Sequence, residues 1–105
     1  MKFLIEASYS TEGAKGVLKA GGGSSRVQAT ERMITELGGK LEAFYYVSNC
    51  DAYVICELPD TAAAAAIALT IKASGFGNIK THVLLEAEAV DKATALVVHY
   101  PGPGN

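Results

Sequence analysis

The feature that most constrains the fold is a pair of strand-like segments, residues 40–48 and 51–58, that are separated only by Asn49-Cys50. Both segments are rich in the aromatic and aliphatic residues that favour β-strands. A two-residue connection that begins with asparagine is typical of a tight turn between antiparallel strands. The sequence therefore predicts a β-hairpin at the centre of the chain.

A two-residue loop also fixes the register, and the register divides the hairpin into two faces. One face is expected to carry mainly small or apolar residues, which suits a surface covered by helices: Ala43, Tyr45, Val47, Ala52, Val54 and Cys56. The other face is expected to combine aromatic, aliphatic and acidic residues: Glu42, Phe44, Tyr46, Tyr53, Ile55 and Glu57.

The chain before the hairpin predicts one strand and two helical segments. Residues 2–9 alternate with the period of a strand, and residues 10–20 predict a short helix weakened by two glycines. The run GGGSS at 21–25 predicts a flexible break. Residues 26–37 then predict a second helix, because their apolar side chains recur at helical spacing.

The chain after the hairpin predicts a helix, a strand and a final helix. Pro59-Asp60 ends the second hairpin strand and caps an alanine-rich helix over residues 61–74. Residues 78–87 alternate as a strand, and residues 88–99 have helical spacing.

The order strand, helix, strand, strand, helix, strand is that of an α+β, ferredoxin-like βαββαβ subunit, here followed by a C-terminal helix. We expect one domain over residues 1–100, with residues 101–105 as an extended tail. The four predicted strands form an antiparallel sheet with helices on one face only.

The sheet face away from the helices is unusually apolar for a monomer. Its expected members are Leu4, Glu6, Phe44, Tyr46, Tyr53, Ile55, His82 and Leu84. Large apolar patches mark interaction surfaces, and a second copy packed sheet against sheet would cover this one. The pattern therefore predicts a homodimer.

Charge and hydropathy exclude several classes of protein. Nine basic and eleven acidic residues give a net charge of −2 without a basic run, so we expect no nucleic-acid partner. No apolar stretch is long enough for a membrane span, and the first ten residues do not resemble a secretory signal. We expect no membrane partner and a cytoplasmic location.

Two cysteines, Cys50 and Cys56, are too far apart for a disulfide if a strand joins them. Six residues of extended chain separate their α-carbons by roughly 20 Å, whereas a disulfide needs about 7 Å or less. The chain has no metal-ligand spacing, and we predict neither a metal site nor a cofactor.

Short motifs in a characteristic order run from Lys2 to Lys92. They are Thr11-Glu12-Gly13, Arg26, LGGKLEAFYY at 37–46, ELPD at 57–60 and GNIKTHVLLEA at 77–87. In this order the chain resembles the GYD domain family of the dimeric α/β-barrel superfamily. The resemblance implies a ferredoxin-like subunit that dimerises into a barrel with a cavity between the sheets. The Gly-Tyr-Asp triplet that names the family reads Asn49-Cys50-Asp51 here, so only the aspartate is kept.

Polar residues on the predicted inner face of the barrel are the candidates for chemistry. A histidine near carboxylates in a partly apolar cavity is suited to acid–base work. The candidate catalytic residues are His82, Tyr46 and Tyr53. The candidate ligand-binding residues are Glu6, Phe44, Tyr46, Tyr53, Glu57 and His82, with Glu42 and Glu86 at the margin of the cluster.

Three functions fit these residues. The first is a homodimer that binds a small apolar or aromatic molecule between its sheets. The second is a cofactor-independent monooxygenase or an isomerase on the same scaffold, with His82 as base and Tyr46 or Tyr53 as hydrogen-bond donor; relatives on the superfamily scaffold include such enzymes. The third is a structural or regulatory oligomer whose barrel interior is only an interface.

Overall fold

Four strands form one sheet. They are β1 (Lys2–Tyr9), β2 (Lys40–Tyr46), β3 (Ala52–Glu57) and β4 (Gly77–Leu84). In the computed structural model, which describes residues 1–104, their order is β2-β3-β1-β4 and all neighbouring pairs are antiparallel. This order and the helices between the strands confirm the predicted α+β class and are compatible with a ferredoxin-like fold.

Four helices connect or follow the strands. They are α1 (Thr11–Lys19), α2 (Ser24–Glu36), α3 (Thr61–Ser74) and α4 (Ala87–Ala93). Ser10 and Asp60 begin α1 and α3 by accepting hydrogen bonds from the backbone N–H groups of Gly13 and Ala63. Such N-caps satisfy amides that have no partner within the helix.

The core lies between one face of the sheet and helices α2 and α3. Its buried residues come from β1, β3, the residue after β3 and these two helices: Phe3, Ile5, Ile34, Val54, Cys56, Leu58, Ala63, Ala64 and Ile67. The alanines of α3 allow the helix to approach the sheet closely, because they add no long side chain to the contact. We call this side of the sheet the covered face, and the opposite side the open face.

The predicted hairpin is present, but its loop is one residue longer than predicted. The Cys50 N–H donates to the Val47 carbonyl at 2.8 Å, and the Val47 N–H donates to the Asp51 carbonyl at 2.9 Å. Ser48, Asn49 and Cys50 therefore form a three-residue loop. Cys50 lies in the left-handed region with φ of 69°, as the last residue of such loops does.

The additional loop residue shifts the register of β2 by one position. Phe44 pairs with Val54 and Tyr46 pairs with Ala52, so both aromatic residues lie on the covered face. The prediction that they lie on the open face was wrong, because a one-residue shift exchanges the faces of a strand. Tyr45, predicted for the covered face, pairs with Tyr53 on the open face instead.

A β-bulge between Leu41 and Ala43 changes the register again. Beyond it, Leu41 pairs with Cys56 and contacts the core, whereas Glu42 reaches an ion pair with Lys2 of β1. The bulge therefore directs the acidic side chain away from the covered face.

The C-terminal helix is shorter than predicted. β4 ends at Leu84, and α4 ends at Ala93 rather than at residue 99. The N–H groups of Ala95 and Leu96 bond three residues back, which is the pattern of a fraying helix end. β-branched Val97 and Val98 follow and are unfavourable for a helix that lacks tertiary packing.

Candidate functional site

A hydrogen-bonded cluster of three side chains lies on the open face. Glu6 projects from the middle of β1, between Tyr53 of β3 and Lys80 of β4 in the register. His82 lies two residues further along β4, and its Nε2 is 2.5 Å from the Glu6 carboxylate. The Tyr53 hydroxyl, opposite Glu6 in the register, interacts with the same carboxylate. The structure thus brings together three of the residues that the sequence analysis proposed.

The hydrogen bonds fix the protonation states of the cluster. Donation from His82, and then from Tyr53, lowers the pKa of the Glu6 carboxyl below its ordinary value. The same carboxylate raises the pKa of the Tyr53 hydroxyl, because the bond requires the phenolic proton. Near neutral pH, Glu6 is therefore a carboxylate and Tyr53 a hydrogen-bond donor.

The geometry also orients the histidine. Because Nε2–H donates to Glu6, the neutral ring has its lone pair on Nδ1. A carboxylate that holds one ring nitrogen leaves the other nitrogen available as a proton acceptor, which is the arrangement used in general acid–base catalysis. His82 and Glu6 are partly exposed on the open face, so a ligand placed against this face could contact them.

Apolar side chains surround the cluster. Leu4 pairs with Ile55 on one side and with His82 on the other, and Leu84 follows His82 on the same face of β4. Tyr45, which is 71% exposed, extends the surface across β2. This part of the open face therefore combines a polar cluster with apolar neighbours, a common composition of ligand sites, and Lys80 opposite Glu6 adds one charge.

Glu57 belongs to a separate group of charges at the other end of the sheet. Lys2 lies 3.2 Å from Glu42 and 3.9 Å from both Glu57 and Glu86. The hydrogen bond from Lys2 to Glu42 is the main cause that raises the pKa of the lysine. Glu57 is four strand residues from Tyr53, a distance of roughly 13 Å, so these carboxylates lie apart from the His82 cluster.

Tyr46 lines a cavity of about 500 Å³ between α1, the glycine-rich segment and the hairpin loop. The cavity is lined mostly by apolar and aromatic groups and includes Tyr9, Val17 and Leu18. Phe44 lies beside Tyr46, with 5.1 Å between the ring centroids, and packs against the core. The covered side of the sheet thus has a second candidate site.

The glycine-rich segment holds Tyr46 in place. The Tyr46 hydroxyl donates to the Gly23 carbonyl at 3.1 Å, and a Cβ on Gly23 would lie 2.5 Å from the tyrosine ring. Only glycine allows this approach. Burial is the main cause that raises the pKa of Tyr46 to about 12, so its hydroxyl stays protonated.

Tyr9 and the apolar residues of α1 were not among the predicted site residues. The available signal was the helical spacing of Ala14, Val17 and Leu18, which places them on one side of α1. That spacing does not tell whether another element covers these residues, and Leu18 remains exposed beside the cavity.

The remaining expectations concern thiols, metals and membranes. Cys50 is exposed, Cys56 is buried, and both are free thiols. Over residues 1–104, no group of three or more His, Cys, Asp or Glu side chains is placed to hold a metal ion. Within the same range, none of the helices has the length and apolar character that crossing a membrane requires.

Comparison with known proteins assigns the family. The family model of the GYD domain matches residues 3–94, a range that includes all four strands and the His82 cluster. No curated protein and no solved structure matches the chain. Since the family model covers most of the chain, the protein belongs to the GYD domain family.

Proposed function

We propose that the protein is a homodimer that binds a small apolar or aromatic molecule between the open faces of its two sheets. The observation that carries this proposal is the Glu6–His82–Tyr53 cluster, which the apolar side chains of Leu4, Ile55 and Leu84 flank on the open face. A second sheet packed on this face would exclude water from the cluster and enclose a space between it and these apolar side chains. Hydrogen bonds to His82 and Tyr53 would then orient a ligand in that space.

Native mass spectrometry of freshly purified protein tests both parts of the proposal. We expect a dimer that carries additional mass from a bound molecule. His82→Ala should keep the dimer and lose the bound mass, because it removes one polar contact and disturbs Glu6. The control is Lys72→Ala, which removes an exposed side chain of α3, away from the open face. A monomeric wild type, or equal retention of the molecule by both variants, would contradict the proposal.

The cavity beside Tyr46 is the alternative location for the ligand, and its volume of about 500 Å³ favours it. Small-molecule sites commonly have volumes of about 300–1,000 Å³. Val17→Trp would fill this cavity from α1 without changing the open face. If the bound mass persists in His82→Ala and disappears in Val17→Trp, the ligand lies on the covered side.

A second candidate function is acid–base catalysis by the same cluster, as in a cofactor-independent monooxygenase or an isomerase. The bond between His82 Nε2 and Glu6 favours it, because the bond leaves Nδ1 as the base, while the Tyr53 hydroxyl helps to keep Glu6 a carboxylate. Here His82→Ala should retain the bound molecule but no longer convert it. Tyr53→Phe, which removes only the hydroxyl, should also slow the conversion. An unchanged molecule after incubation with the wild type would leave binding as the function.

A further inference from the structure

The C-terminal part of the chain is exposed along its whole length. Every residue from 85 to 101 is exposed, including all of α4. Val97 and Val98 are each more than 80% exposed, and Leu96 and Tyr100 are nearly as accessible. Isolated apolar residues on a surface are ordinary, but a continuous exposed run of them is not.

The dimensions of the molecule exceed those of a compact chain, as expected if this segment extends away from the body. The accessible surface is 7408 Å², whereas a folded monomer of this mass exposes about 5,600 Å². The radius of gyration is 17.1 Å, compared with about 13 Å for a compact chain of this length. The longest dimension, 55 Å, is more than twice the shortest, 25 Å.

The composition of the segment does not fit a solvated tail. Five of the seven residues in 94–100 are apolar or aromatic, and His99 is the only titratable group besides the Tyr100 hydroxyl. Disordered tails are usually poor in aliphatic and aromatic residues and rich in charge. The segment therefore has the composition of a buried element and the exposure of a free one.

We propose that residues 85–100, which we call the C-terminal arm, pack on a second copy of this chain. The arm begins at Leu85, directly after Leu84 on the open face of β4, so it continues the surface through which the homodimer is proposed to form. In this respect the inference rests on the proposed dimer. A two-fold assembly would exchange two arms, and each chain would cover the other's exposed apolar residues.

The excess accessible surface of the chain is large enough for such a contact. The excess surface of about 1,800 Å² per chain exceeds the roughly 800 Å² that each partner buries in a stable protein–protein interface. The open face and the arm together thus offer more surface than a standard dimer requires. The arm is expected to add affinity to the sheet contact rather than to replace it.

The test is the dimer dissociation constant, measured by sedimentation equilibrium on the full-length chain. Val97→Asp combined with Val98→Asp should raise this constant at least ten-fold, because two charges would be buried against the partner. The circular dichroism spectrum should not change, since both residues lie outside the core. The dimer dissociation constant of a chain that ends at Ala93 should rise in the same way. Leu69→Asp, on the exposed side of α3, is the matched control and should behave as the wild type.

The outcomes separate the arm from the sheet contact. If the wild type is a dimer and the dissociation constant is unchanged in both the double aspartate variant and the shortened chain, the proposed role of the arm is overturned. The proposed dimer is then left intact. A monomeric wild type would overturn both proposals. Weakening by the arm variants but not by Leu69→Asp would support the arm.

Discussion

The two faces of the sheet differ in how they are completed, although the same strands form both. In β3, Ala52, Val54 and Cys56 are buried beneath α2 and α3, whereas the intervening Tyr53 is exposed and Ile55 is only half-buried. The covered face has small apolar residues that the chain's own helices cover. The open face has larger and more polar residues, and the core helices α2 and α3 lie on the other side of the sheet. A single chain therefore covers one side of its sheet with its core helices and leaves most of the other exposed.

The difference extends to electrostatics. The covered face contains no buried charge among the described residues, and its Tyr46 hydroxyl is bonded to the Gly23 carbonyl. On the open face, a hydrogen bond joins His82 to Glu6, and an ion pair joins Lys2 to Glu42. Packing a second sheet on this face would strengthen those interactions, because charges attract more strongly when water is excluded.

The largest effect should come from truncating adjacent residues of β1 that face opposite sides. Phe3→Ala should lower the free energy of unfolding by ~3–5 kcal/mol, because it leaves a cavity at a fully buried position. Leu4→Ala should cost less, and its cost should grow with protein concentration because Leu4 lies in the proposed dimer interface. Urea denaturation at two protein concentrations measures both. Equal and concentration-independent losses would mean that the faces do not differ.

A charge on the open face should dissociate the dimer. Tyr45→Asp should raise the dimer dissociation constant at least 100-fold, about 2.8 kcal/mol, because a carboxylate would be buried without a partner. Leu69→Asp changes a residue of almost equal exposure on α3 and should have little effect. Sedimentation equilibrium provides the measurement. A similar response of the two variants would show that the open face is not the interface.

The three-residue loop that sets the faces of β2 leads to a smaller prediction. Cys50→Gly should raise the free energy of unfolding by about 0.5–1 kcal/mol, because φ of 69° strains any residue with a Cβ. Asn49→Gly should not stabilise the protein, since Asn49 accepts a hydrogen bond from the Asp51 N–H. Thermal or urea unfolding of the two variants measures this difference in the free energy of unfolding. Destabilisation by Cys50→Gly would contradict the loop conformation.

A further effect, confined to alkaline pH, is a pH dependence from the covered face. The pKa of Tyr46 is raised from 10 to about 12, so the unfolded chain loses this proton first as the pH rises. The contribution is present in full below pH 10 and is lost between pH 10 and 12. Above pH 10, the free energy of unfolding of Tyr46→Phe should therefore fall less steeply with pH than that of the wild type. Between pH 7 and 9 the two free energies should differ by a constant amount. Equal slopes of the two proteins above pH 10 would contradict the burial of this hydroxyl.

The sequence was sufficient to predict the strand order and most of the open face. Leu4, Glu6, Tyr53, Ile55, His82 and Leu84 share this face as predicted, because alternation along β1, β3 and β4 is regular. β2 could not be predicted in the same way. Its faces depend on Cys50 in a left-handed conformation and on the bulge at Glu42, and neither residue type signals such a backbone.

The candidate site was predictable only in part for the same reason. That Glu6, Tyr53 and His82 share one face follows from the regular strands, whereas the prediction for Tyr46 was wrong because β2 has the shifted register. The cavity beside Tyr46 depends on where α1 lies relative to the hairpin loop. That placement is a tertiary feature, and a helical pattern alone does not contain it.

The most direct test of the central claim is site-specific photo-crosslinking. Incorporation of p-benzoylphenylalanine at Tyr45 places a reactive ketone on the open face, and incorporation at Leu69 places one on the outer side of α3. If a second copy covers the open face, irradiation should yield covalent dimers from position 45 and not from position 69. Covalent dimers from position 69 alone, or from neither position in a dimeric sample, would contradict the account.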